Sequence, residues 1–276
     1  MIGGSGRLGT LLRRAAVAED AASGWVWQAR RDSDFPGQGG PDLVFDPLAE
    51  PAALRAAARA ADVVLCLAGA TSGPPEVLAC NRILAEAVLD AAPGPVLIAS
   101  SAAVYGAGPS HEDDTPAPMA PYGQAKLEME QAVQARGRAD AVLLRIGNVA
   151  GADSLLGQRC APGARVLAIL PGGQAPRRSF IGPRALFLAL ARLARLAAAG
   201  AALPGRINLA LPGAVGMDAL LLAAGEGWAP RPAPEGVIPV VALDVRRAVA
   251  LGLVPEAPAR AAVIVADLAS LRGAAP

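Results

Sequence analysis

The sequence predicts an α/β fold, a doubly wound parallel sheet with a smaller C-terminal part, on three observations. Short continuous apolar runs such as Val63-Val64-Leu65-Cys66-Leu67 read as strands buried on both faces. Ala-rich segments of helical length alternate with these runs, the pattern of parallel strands joined by crossover helices. A glycine-rich loop opens the chain directly ahead of its first helical segment.

In chain order, the glycine loop 3–9 leads into a helix through about Val17, and 25–29 reads as a strand. A helix over 52–61 precedes the buried strand 63–68. A helix over 75–92 and a strand over 96–100 follow. After a polar loop, 110–121, a helix runs over 122–136, and 141–146 is the next strand. From Gly151 the pattern loosens into short apolar runs punctuated by Gly and Pro, as in a smaller, irregular part. The division expected is a nucleotide-binding domain over 1–155 and a substrate-facing part over 156–276, some of it packing back on the first.

The bulk numbers exclude several classes. Apolar residues make up 53% of the 276, enough for a large core, and the net charge is +1. No basic block suggests a nucleic-acid partner. The longest apolar stretch, 185–203, carries Arg192 and Arg195 in its middle, which a bilayer span disfavours. The start lacks a basic and apolar leader. Cys66, Cys80 and Cys160 show no metal spacing and suit a reducing compartment. A cytoplasmic protein with no nucleic-acid or membrane partner and no metal is expected. His111, beside Glu112, Asp113 and Asp114, has no second histidine and reads as a surface loop.

Gly3-Gly4-Ser5-Gly6-Arg7-Leu8-Gly9 is GxxGxxG. Glycine lets the backbone turn tightly and approach a pyrophosphate, and the following helix offers its N-terminal amides. In a Rossmann-type unit a buried strand precedes this loop, yet only Met1 and Ile2 stand before Gly3. A missing strand would lie mid-sheet and forfeit ladder hydrogen bonds at about 1 kcal/mol each. It would also forfeit buried side chains at about 1.5–3 kcal/mol each. The expectation is therefore a natural chain that begins upstream of this Met1.

Tyr122-Gly123-Gln124-Ala125-Lys126 is YxxxK at the start of a helix, which puts phenol and ammonium on one face. A neighbouring ammonium favours the phenolate, so the tyrosine could exchange a proton with a substrate hydroxyl. Lys126 is the only lysine among 25 Lys plus Arg. A chain that uses arginine for every other cation suggests a place where an ammonium is specifically needed. Earlier, a strand ends in Ser100-Ser101, the end of a parallel strand where ligands bind. Either serine could equally be a satisfied turn residue.

Taken together, these segments resemble the extended short-chain dehydrogenase/reductase family, its NAD-dependent epimerase/dehydratase group. Ser100-Ser101-Ala102-Ala103-Val104-Tyr105-Gly106 matches its SSxxVYG segment, and Pro121 to Lys126 its PYGxSK segment. Asp62 to Gly69 resembles its strand and cofactor-lining loop, with Asn81 opening the next helix and Glu130 where a glutamate usually follows. Leu144 to Gly151 resembles LRxxNVYG, and Arg206-Ile207-Asn208-Leu209 a later strand of the family. Every Lys, Tyr and Asn of the chain thus falls on a family motif.

The resemblance implies that Tyr122 is the acid/base, that Lys126 holds the nicotinamide ribose, and that Ser101 binds the substrate oxygen. It implies a cofactor, NAD(P), held by Gly3, Gly6 and Gly9 at the pyrophosphate, Asp46 toward the adenine, and Ala68, Asn81, Tyr122 and Lys126. At the end of the second strand stand Arg30 and Arg31; arginine there accommodates a 2′-phosphate, which favours NADP over NAD. Dimers are common in this family, which leaves a homodimer among the states open to this chain.

The chain departs from the family at Arg7, where an aromatic or aliphatic residue is usual, and at Phe180-Ile181-Gly182-Pro183, where an acid often follows. The C-terminal part is short for a full nucleotide-sugar site, which counts against that substrate class. Two functions stand. One is an epimerase, dehydratase or ketone reductase acting on a hydroxyl or carbonyl carbon of a sugar-like or small polar substrate. The other is a non-catalytic NAD(P)-binding sensor or scaffold. Intact Ser101, Tyr122 and Lys126 favour the enzyme, since a binder has no need of an acid/base.

Overall fold

In a computed structural model the described residues are 1–21, 24–32, 40–107, 110–157 and 165–271; Cys160 lies outside them. The main sheet is parallel. Its continuous part has the order β10 (Arg206–Leu209), β5 (Ala141–Ile146), β4 (Val96–Ser101), β3 (Val64–Cys66). All six residues of β5 are buried, which is why its apolar run was readable without alternation.

The first position of the sheet, mid-order, is filled by two residues. Ile2 donates its N–H to Leu65 O at 2.8 Å and accepts from Leu67 N at 2.9 Å. On its other side Met1 O accepts from Gln28 N at 3.0 Å, and Gly4 N donates to Gln28 O at 2.9 Å. The sheet therefore continues through this stub to β1 (Gln28–Ala29) and β2 (Leu43–Val44), which pair in parallel. The strand expected over 25–29 is only two residues long. The Trp27 N–H goes to the Asp42 carboxylate at 2.7 Å, and the rung opposite the stub begins at Met1. The buried Gln28 side chain ties the layers, donating to Phe45 O at 2.6 Å and accepting from Gly3 N at 3.0 Å.

Helices cover both faces. On one, α1 (Arg7–Ala18) packs against α6 (Pro183–Ala198). Leu12, Ala15, Leu186, Phe187 and Leu190 meet Leu65, Leu97, Val142 and Leu144 there. On the other, α2 (Pro51–Arg59), α4 (Cys80–Ala91) and α5 (Pro121–Ala135) pack in a row. Their Leu54, Ala85, Val88, Met129 and Val133 meet Val64, Val96, Ile98 and Leu143. Successive strand residues thus serve opposite cores, the two-sided burial expected of a doubly wound sheet. The helix expected over 75–92 is divided: α3 (Pro75–Leu78) ends before α4 begins at Cys80.

Beyond β5 the strands are short. β6 (Asn148–Val149) pairs with β9 (Phe180–Ile181), and β7 (Val166–Ile169) with β12 (Ala229–Pro232). β8 (Arg177–Arg178) lies between β11 (Val215–Gly216) and β13 (Val240–Val241). The chain still returns to the main sheet at β10, in register with β5 from Arg206↔Leu143 to Leu209↔Ile146. Arg192 and Arg195 of α6 are exposed, and no helix among the described residues is long and apolar enough to cross a membrane.

Candidate active site

A cleft of about 500 Å³ opens at the C-terminal edge of the sheet, lined by Gly3, Gly6, Arg7, Gly9, Gly69, Asn81, Ser100, Ser101, Tyr122, Lys126 and the 146–149 and 152–154 segments. This is the edge where parallel sheets place ligands. The glycine loop is there because the stub ends at Ile2 and α1 begins at Arg7, with Gly6 as its N-cap. Gly3 takes φ +87°, and a Cβ on it would stand 2.7 Å from Ala68 N. A Cβ on Gly9 would stand 2.6 Å from both Gly3 O and Gly4 O. These two glycines are required by the protein's own packing. Gly6 differs: the nearest atom to its Cβ would be Gly3 O at 3.5 Å, so its open side faces the cleft. A ligand that presses on the loop backbone would explain glycine at that position.

The opposite wall comes from β4 and α5. The start of α5 is Pro121 after Ala120, which supplies no side-chain cap; proline suits this first helical position. Tyr122 and Lys126 follow one turn apart. Ser101, the last residue of β4, accepts from Ala103 N at 3.2 Å, which leaves its own proton free to face Tyr122. Burial pushes the Tyr122 phenol above its ordinary value, and the neighbouring Ser101 hydroxyl offsets part of that rise.

Lys126 is buried, 5% exposed. Its Nζ donates to Ala99 O at 2.8 Å, and burial lowers its pKa to about 8. The lowering of Tyr122 expected from the lysine is therefore not found. The ammonium is directed at the strand wall, and desolvation governs the phenol. Across from Lys126, Asn81 is 1% exposed and donates through Nδ2 to Ala70 O and Leu78 O, both at 2.9 Å. Its Oδ1 is buried without a hydrogen-bond partner. A Cβ on Gly69 would fall 2.2 Å from that oxygen and 3.6 Å from Lys126 Nζ. An orphaned acceptor is costly unless something donates to it, and a ribose hydroxyl at this place would. The residues present therefore fit a dinucleotide.

Of the sequence-expected residues, the cleft brings together Gly3, Gly6, Gly9, Asn81, Ser101, Tyr122 and Lys126. Ala68 lies between two of its lining residues, Leu67 and Gly69. Arg30 is exposed just past β1. Asp46 follows β2, and its carboxylate accepts from Leu48 N at 2.9 Å and Ala49 N at 3.1 Å. Those bonds, with Arg30 nearby, hold it below the usual carboxylate range. Arg30 and Asp46 thus stand at the strand ends beside the glycine loop, outside the cleft's own lining.

A buried polar network behind the site has no role in the sequence reading. Ser100 donates to Glu130 at 2.5 Å, and Glu130 pairs with Arg145 at 2.6 Å. The Arg145 guanidinium lies 4.6 Å from the Tyr105 ring centroid. Tyr105 donates to Asn208 Oδ1 at 2.7 Å, and Asn208 N donates to the buried Glu112 at 2.8 Å. Burial works against the Arg145 charge, but the Glu130 carboxylate outweighs it and holds the guanidinium protonated. One cation within the apolar run of β5 was the signal available in the sequence, because a buried charge requires a partner.

A model of the NAD dependent epimerase/dehydratase family matches residues 1–164. No curated protein matches the chain. Among solved structures, it resembles MoeE5 in complex with UDP-glucose and NAD, at 23% identity and a TM-score of 0.74, over 98% of this chain and 96% of that one. It also resembles a UDP-glucose-4-epimerase from Stenotrophomonas maltophila with bound NAD and formylated UDP-arabinopyranose, at 21% identity and 0.76, over 98% and 96%. A third is TunA, an NAD-dependent NDP-hexosamine 5,6-dehydratase, at 19% identity and 0.71, over 98% and 95%. The glycine loop, the strand order and the match over more than half its length lead to one assignment: this chain belongs to the NAD dependent epimerase/dehydratase family, enzymes of the extended short-chain dehydrogenase/reductase type.

Proposed function

We propose that this protein is an NAD(P)-dependent epimerase or dehydratase acting at a hydroxyl-bearing carbon of a nucleotide sugar through Ser101, Tyr122 and Lys126. The observation that carries the reading is the convergence of those three side chains with the glycine loop on one cleft. The relatives that hold UDP-sugars support the substrate class. Chain length is no objection, because 96% of MoeE5 is covered.

A nicotinamide held in this cleft would supply the hydride chemistry, and the rest would be done by the chain. Tyr122 Oη takes the proton of the reacting hydroxyl and gives it back. The Ser101 proton steadies the oxygen on which charge develops. Lys126, whose Nζ donates to Ala99 O at 2.8 Å, would hold the nicotinamide ribose. Asn81 Oδ1 accepts from a ribose hydroxyl. Arg30, exposed past β1, supports a 2′-phosphate and hence NADP; the NAD held by MoeE5 and the epimerase supports the unphosphorylated form. Residues 1–155 hold the nucleotide in this division, and 156–276 face the substrate.

Tyr122→Phe is the test. It should still bind nucleotide and lose turnover by about 100-fold or more. Undiminished turnover would remove Tyr122 from the mechanism. Failure of the unaltered protein to bind either nucleotide would remove the cofactor.

A further inference from the structure

Arg7 has no counterpart among the roles assigned so far, and its position is unusual. It is the first residue of α1, directly after the N-cap Gly6. The helix dipole disfavours a cation at that end, and no acid stands in the first turn to offset it. The side chain is exposed and lines the cleft. Its Nη1 donates to Ala152 O at 3.1 Å, across 145 residues of sequence. Ala152, Asp153 and Ser154 form the facing wall, so the guanidinium bridges the cleft from one lip to the other. One bond to a carbonyl leaves most of the five guanidinium N–H donors for something else.

The surroundings indicate what that is. Gly6, beside Arg7, presents open backbone to the cleft, and the orphaned, nearly fully buried Asn81 Oδ1 faces the same space. Together they describe a cleft built around a ligand that carries hydroxyls at one end and an anion at the loop. We infer that Arg7 is a phosphate-binding strap. It holds Ala152 O with one nitrogen and the pyrophosphate of the dinucleotide with the others, closing the loop end of the cleft over the bound cofactor.

The inference rests on the dinucleotide reading of this cleft and adds a residue to it. An arginine fork satisfies phosphate oxygens through two parallel bonds, which an apolar residue at this position cannot do. Anchorage on both lips makes release of the cofactor require breaking the Ala152 contact as well. The arrangement therefore predicts slow cofactor exchange, as suits an enzyme that reduces and reoxidises the same nucleotide in one cycle.

The experiment compares the unaltered protein with Arg7→Leu and Arg7→Lys. Binding of NAD, NADP, ADP-ribose and adenosine is measured by calorimetry, and nucleotide release by displacement. Arg7→Leu should weaken ADP-ribose and the preferred dinucleotide by about tenfold to a hundredfold and speed release by a similar factor. Adenosine, which has no phosphate, should bind as before, and Arg7→Lys should recover part of the loss. Equal dinucleotide affinity and release rate in Arg7→Leu would overturn the strap. So would a loss for adenosine as large as that for ADP-ribose, since that marks general damage to the cleft. If the unaltered protein bound neither dinucleotide, the cofactor reading itself would fall, a result distinct from the other two.

Discussion

Replacing Lys126 by methionine should make the protein more stable while abolishing its chemistry. The Lys126 side chain is 5% exposed and its pKa falls from 10.5 to about 8 through burial. At about 1.4 kcal/mol per unit, that shift is about 3 kcal/mol of preference for the neutral amine in the folded state. The folded value lies below the unfolded one, so the unfolded chain binds more protons between pH 8 and 10.5. Stability of the unaltered protein therefore rises with pH through that window, and the full penalty is present below it. Methionine fills a similar volume without a charge. It forfeits the bond to Ala99 O, about 1 kcal/mol, for a net gain of about 2 kcal/mol at pH 7. For a chain of this size that is a rise in melting temperature of about 4–8 °C. Thermal and urea unfolding without added nucleotide, at pH 7, 9 and 10.5, would measure it. The gap between the two proteins should be widest at pH 7 and close toward pH 10.5. A Lys126→Met protein that is less stable at pH 7, or whose gap ignores pH, would refute the reasoning.

Two further perturbations separate packing from binding. Gly9→Ala places a Cβ 2.6 Å from two carbonyl oxygens and should destabilise by about 1–3 kcal/mol, read from the urea midpoint. Gly6→Ala meets no atom closer than 3.5 Å, so its melting temperature should stay put while nucleotide affinity drops about tenfold. Glu130→Ala strips the carboxylate from Arg145, which is 0% exposed, and should cost about 3–5 kcal/mol in chemical denaturation. Glu130→Ala within 1 kcal/mol of the unaltered protein would show that Arg145 finds another partner.

The long elements were legible because their physics is local. β5 declares itself as six consecutive residues buried on both faces, and the doubly wound order follows from alternation with helices. The pair Tyr122 and Lys126 was legible from helical spacing and from the scarcity of lysine. What that lysine points at was not. Its contact with Ala99 O depends on where β4 and α5 come to rest against each other, and that distance is not written in either segment. The reversal of the expected Tyr122 shift has the same origin, since burial is a tertiary quantity. Strands of two residues such as β8 and β9 carry no periodicity to read. The division of the helix at Ala79 and the Glu112–Asn208 contact likewise arise from partners far away in sequence.

The start of α5 has a consequence for the rate. Tyr122 is the second residue of a helix that begins without a side-chain cap at Ala120, so no local acceptor competes for the field of the leading peptide dipoles. That field favours negative charge on an adjacent oxygen. In the proposed mechanism that field would offset part of the desolvation cost when the phenol gives up its proton. A serine or aspartate introduced at position 120 would engage those leading amides, strengthening the helix while slowing the enzyme.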